Sequence, residues 1–110
     1  MEKEKFNKII EYLEQVLKYP AMHFGAIDAV ERAESFLIGI RYATFFLFDL
    51  DNHSITSIYD DVLIKRDHRF SASGILRELK YEGYENTQIV KELIEIEIDF
   101  WKIVRDGLHK

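Results

Sequence analysis

Apolar positions recur at helical spacing along nearly the whole chain. From Glu2 to Tyr19, Phe6, Ile9, Ile10, Leu13, Val16 and Leu17 fall on one helix face, and Glu, Lys, Asn and Gln fill the other. Pro20 ends this helix, because its ring removes an N–H and disfavours helix at Tyr19. Pro20-Ala21-Met22-His23-Phe24-Gly25 reads as a connector bracketed by Pro and Gly, with Met22 and Phe24 as apolar plugs. Ala26 to Asp49 reads as a second helix, with Ile27, Val30, Ala33, Leu37, Ile40, Thr44 and Leu47 on one stripe. Asp28, Glu31 and Arg32 give it a polar face only at the start. Between Phe36 and Phe48, only Gly39, Arg41 and Thr44 interrupt the apolar side chains, which predicts that this segment is central and enclosed.

The next segment admits two readings. Ser54 can cap a helix in which Ile55, Ile58, Tyr59, Val62 and Leu63 recur at helical spacing. Alternatively, the aromatic run ending at Asp49 turns at Asp51-Asn52-His53 into a β-hairpin near 41–59. Period-2 alternation is absent on both sides of that turn, so helix is preferred. Lys65 to Arg69 is a polar, basic loop. Ser71 or Ser73 can start a short helix through Ile75, Leu76 and Leu79, and Gly83 suits its left-handed C-terminal position. Asn86 or Thr87 then caps a long helix to about Gly107. Its two adjoining stripes are Ile89, Leu93, Ile96, Phe100, Ile103 and Val90, Ile94, Trp101, Val104, Leu108. Ile98 falls at the margin of this face and reads as a surface residue or a partner contact. Glu97 falls within the face and needs a cation, for which Arg41 is the candidate; Arg41 in turn has Glu97 or Glu34 available.

The expected fold is therefore all-α, a single-domain bundle over 1–110 with four to five helices around a central apolar helix; the alternative is α+β with the 41–59 hairpin. A chain of 110 residues with 47% apolar and 14% aromatic side chains is long and apolar enough to fold alone. The net charge of −5 argues against nucleic acid, which needs clustered Lys and Arg, and suits a basic protein partner. There is no cysteine, which excludes disulfides, zinc-thiolate sites and a thiol nucleophile. The first residues are charged where a signal peptide needs an apolar core, and the Phe36–Phe48 run is short of the roughly 20 residues a membrane span requires. A cytoplasmic protein is the expectation, with no cofactor and no metal.

Candidate chemistry is sparse. Phe45 to Asn52 ends in Asp49-Leu50-Asp51, which resembles the nucleophile motif of haloacid-dehalogenase-type phosphatases; Asn52-His53 replaces that family's Gly-Thr, and too little chain follows for its core. His23, His53, His68 and His109 have no i, i+4 partner for a helical metal site. Glu95 and Asp99 share one side of the last helix and read as a solvated face.

Pro20 to Gly25 followed by Phe36-Leu37-Ile38-Gly39-Ile40-Arg41-Tyr42-Ala43 resembles a pattern in small bacterial proteins of immunity-protein type, over about a quarter of the chain. His23 stands where that pattern has an aromatic residue, and Ile40 where it has Tyr. The resemblance implies a non-enzymatic, acidic helical binding protein that neutralises a toxin by occluding a basic active site. The contacts expected on this reading are Asp49, Asp51, Asp60, Asp61, Glu82 and Glu85, with Tyr59, Tyr81 and Tyr84 as aromatic anchors. The competing expectations are a homodimeric structural or regulatory module using the wide face of the last helix, and a small Mg²⁺-dependent phosphatase built on Asp49 and Asp51.

Overall fold

The computed structural model describes residues 2–48, 50, 52–68 and 74–107. Among them the chain forms six helices and no strand: α1 (Glu2–Lys18), α2 (Pro20–Phe24), α3 (Val30–Phe48), α4 (Asn52–Lys65), α5 (Ile75–Tyr81) and α6 (Asn86–Gly107). The all-α expectation holds, and the hairpin alternative does not: α3 runs through Phe48 and α4 begins at Asn52. The count exceeds five because the Pro20–Gly25 connector is itself a helical turn. Pro20 opens α2, where its missing N–H costs nothing, and Gly25 closes it at φ 82° with its N–H donating to the Ala21 carbonyl. Arg32 then donates to the Phe24 carbonyl at 2.8 Å, tying this turn to α3.

The axis of the bundle is α6, not the apolar segment of α3. Its two stripes are covered by α1, α3, α4 and α5, and Ile89, Val90, Ile94, Ile96, Phe100 and Trp101 are fully enclosed. A helix that is apolar on two adjoining stripes needs neighbours on several sides. The apolar face of α6 offered for self-association is thus occupied by its own chain. Ile98, placed at the margin by the sequence, is also buried.

The main seam joins α1 to α6. Phe6 lies between Trp101, at 5.6 Å between ring centroids, and Phe48, at 5.1 Å, so one aromatic ring connects three helices. Phe100 meets Trp101 edge-on at 4.9 Å, a favoured aromatic geometry. A second seam joins α2 to α3 through Phe24 and Phe36 at 5.4 Å.

Local chemistry sets the ends. Gly83 takes φ 92° after α5, as its position predicts, and Tyr84 N–H closes onto the Leu79 carbonyl. At the start of α6 the Gln88 side chain accepts from the Glu85 N–H at 2.9 Å, the reciprocal half of a capping box. The expected caps at Asn86 and Thr87 fall one and two residues too late. The α4 helix ends at a turn in which Asp67 adopts φ 62°, a conformation Asp tolerates, and His68 N–H bonds the Leu63 carbonyl at 2.8 Å. Ser71, Ser73, Leu108 and His109 lie outside the described residues. No helix among the described residues is long and apolar enough to cross a membrane.

Candidate protein-binding surface

A helix docked on one side of a bundle buries about half its circumference, and α3 shows this division. Val30, Ala33, Leu37, Thr44 and Phe45 face inward and are buried. The outer side of the same helix carries Ile38, Tyr42, Phe46 and Leu47, at 39%, 54%, 86% and 79% exposure. Gly39 and Ala43 lie between them, also exposed. The predicted stripe placed Leu47 inside, yet it is among the most exposed large residues. From Ser35 to Leu47, every exposed position of α3 is uncharged. Contiguous apolar patches of several side chains are uncommon on monomers and mark interaction surfaces.

A buried ionic pair holds this helix at a fixed rotation. Arg41 projects inward and donates to Glu97, whose second oxygen accepts from Trp101 Nε1 at 3.1 Å. The expected partner of Glu97 is therefore the one found. The guanidinium lies 4.3 Å from the Tyr59 ring centroid, a cation–π arrangement. Burial lowers the pKa of Arg41, and the adjacent Glu97 carboxylate more than offsets it. Burial raises that of Glu97 against the opposing pull of Arg41 and Trp101. Tyr59 is pushed up to about 12, mainly by burial. Beside the pair, a cleft of about 210 Å³ opens next to Ile38, lined also by Glu34, Leu37, Tyr59 and Leu93. Arg41 Nε is buried there without an acceptor among the described residues.

A second polar network joins the turn after α4 to α6. Arg66 makes a bidentate contact with Glu92, at 2.9 and 3.0 Å, and reaches Asp99 at 2.7 Å. His68 is buried between Glu92, 2.6 Å from Nε2, and Glu82, 3.1 Å from Nδ1. The sequence reads 65–69 as a polar, basic loop, yet His68 is buried; Glu95 and Asp99 keep the solvated side expected of them while also meeting Arg66. The readable signal was the i, i+3, i+7 spacing of Glu92, Glu95 and Asp99, an acidic ridge awaiting a cation.

This network gives a pH prediction. Burial raises the Glu92 pKa, but the Arg66 and His68 donors outweigh it and hold the carboxyl below its ordinary value near 4.5. Its contribution is therefore fully present above that value and is lost as pH falls through the lowered one. Glu92→Gln is expected to cost about 1–2 kcal/mol at neutral pH. Denaturant titrations from pH 7 to pH 3 should show the gap between wild type and variant narrowing as pH falls.

Comparison with protein-family models, with curated proteins and with solved structures finds no match. The reading of function therefore rests on the geometry of the chain itself.

The residues expected to bind a partner differ in how the fold uses them. Asp49 and Asp51 lie outside the described residues. Tyr59 is not a free anchor, since it packs under Arg41 and against Phe100 at 5.8 Å. Glu82 is engaged by His68, and the half-buried Tyr84 packs its ring against the same histidine. Asp60 is half-buried, whereas Asp61, Tyr81 and Glu85 are exposed, one each on α4, at the end of α5 and before α6. Among the described residues, no three His, Asp or Glu side chains are grouped so as to hold a metal ion.

Proposed function

We propose that this chain is a non-catalytic binding domain whose docking surface is the outer face of α3. The observation that carries the proposal is the exposure of Phe46 and Leu47, at 86% and 79%, beside Tyr42 and Ile38 on one uncharged helix face. Large aromatic and aliphatic side chains held on a rigid helix are the usual anchors of protein interfaces. The inward pull of Arg41 fixes which side of α3 faces out, so the surface is organised before a partner arrives.

Substitution tests this directly. Phe46→Glu/Leu47→Glu should leave the helical content unchanged, and the melting temperature too at concentrations where the chain is monomeric, because neither side chain is part of the core. Tagged wild-type and variant chains isolated from the cells that make the protein should differ in what they hold. Partners retained by the wild type and lost from the variant support the proposal; equal retention by both overturns it.

A narrower reading, neutralisation of a basic toxin by occlusion, is favoured by the net charge of −5 and by exposed Asp61, Tyr81 and Glu85. The two readings separate by salt. Charge-steered docking weakens steeply as the screening length shrinks from roughly 10 Å at 0.1 M to 3 Å at 1 M, whereas docking through α3 persists or strengthens.

A further inference from the structure

The composition of the α3 face points to its occupant. We infer that a second copy of this chain covers it, the two α3 helices crossing antiparallel at Gly39 and Ala43. The inference rests on the reading of α3 as a docking surface and adds the identity of what docks. Three features support it.

The first is charge. Exposed positions from Ser35 to Leu47 carry no charge, while the chain as a whole carries −5. A basic partner finds no counter-charge at these positions, Glu34 lying only at the margin in the cleft beside Ile38. A second copy meets a neutral surface with a neutral surface and keeps its acidic groups outside the contact.

The second is area. At roughly 150–250 Å² for a large aromatic side chain, with Ile and Leu comparable, the four exposures leave about 500 Å² of apolar surface per copy. Two copies then bury up to about 1,000 Å², the size at which specific association begins, with Ile38 and Leu47 at the two edges of the contact.

The third is shape. Glycine inside a helix is unfavourable relative to alanine, and a Cβ built on Gly39 meets nothing within 4 Å. Nothing in the chain's own packing requires a residue without a side chain there. Gly39 and Ala43 form a shallow floor one turn apart, and Tyr42 and Phe46 stand beside it as ridges. Antiparallel crossing places the Phe46 of each copy over Ser35 and Gly39 of the other, so ridge meets floor twice about one two-fold axis.

The test is sedimentation of the wild type and of Gly39→Leu across a concentration series. The wild type is expected to reach twice the 13.1 kDa chain mass. Gly39→Leu is expected to keep its helical content and, at concentrations where both chains are monomeric, its melting temperature, because a Cβ there meets no intramolecular neighbour, and to weaken self-association by about 100-fold. A wild type that stays at 13.1 kDa throughout, or a Gly39→Leu variant that dimerises equally well, overturns the inference. If the wild type is monomeric while Phe46→Glu/Leu47→Glu still releases another protein, the docking surface stands and only its occupant changes. Orientation is read from Ser35→Cys, since the chain has no other cysteine. Antiparallel crossing separates the two thiols by roughly 18 Å along the axis, so they stay unbridged under oxidation; ready disulfide formation overturns that geometry.

Discussion

Arg41→Leu is expected to lower the stability of the fold by about 3–5 kcal/mol at neutral pH, because it leaves Glu97 buried and charged with no cation. Glu97 is 1% exposed, and no other cationic side chain among the described residues contacts it. The Trp101 N–H remains as a donor but carries no charge. Replacing both members, Arg41→Leu/Glu97→Leu, should recover most of the loss, since a buried ion pair contributes little net stability over apolar residues of similar volume. The indole N–H then lacks its acceptor, so recovery stops short of wild type by about 1 kcal/mol. The defect in Arg41→Leu should also depend on pH. Burial already raises the Glu97 pKa above the ordinary value near 4.5, and loss of Arg41 raises it further. Between the unfolded and folded values the native state binds a proton that the unfolded state has released, so stability falls as pH rises through that window. Urea denaturation at pH 7 and pH 5 should therefore show the larger deficit at pH 7. A cost below about 1 kcal/mol at both pH values would contradict the burial of the pair.

Trp101→Ala should cost about 4–5 kcal/mol, near the top of the range for a core aromatic. Three losses combine at this position. The side chain is completely enclosed. It contacts both Phe6 on α1 and Phe100 on its own helix. It also supplies the N–H that Glu97 accepts. A domain of this size has roughly 5–15 kcal/mol in total, so the variant sits close to global unfolding at 37 °C. Trp101→Phe separates the contributions: it keeps a ring against Phe6 and removes the indole donor, with an expected cost of about 1–3 kcal/mol. Calorimetric melting of both variants checks the order. Equal losses would show that the hydrogen bond, and not the aromatic seam, dominates.

How much of this could be read in advance depended on contrast along the chain. In α1 a charged face opposes an apolar one, which fixes both the helix and its rotation. Arg41 and Glu97 were legible as a pair because each is a charge inside an apolar pattern, and only the other can offset its burial. The α3 helix failed for the opposite reason. Its second half has almost no polar positions, so apart from Arg41 little in the sequence marks which side turns inward. A nearly continuous apolar run implies complete enclosure, yet one side of it forms the surface. Tyr59 carried the same ambiguity, since an aromatic beside acidic residues fits an exposed anchor as well as a ring beneath a guanidinium. The burial of His68 depends on the Asp67 turn and on where Glu92 stands across the bundle, and local sequence encodes neither. Ile98 was misplaced because four helices contact α6, more of its circumference than two stripes suggest.

The measurement that bears most directly on the docking role of α3 is photocrosslinking in the cells that make the protein, with a benzophenone amino acid at position 46 and a control at exposed Arg77. A discrete adduct formed from position 46 and absent from the control is the predicted result, at twice the chain mass if a second copy is the occupant. A chain that remains uncrosslinked at position 46, or that gives the same diffuse products from both positions, would contradict the assignment of this face as an interface.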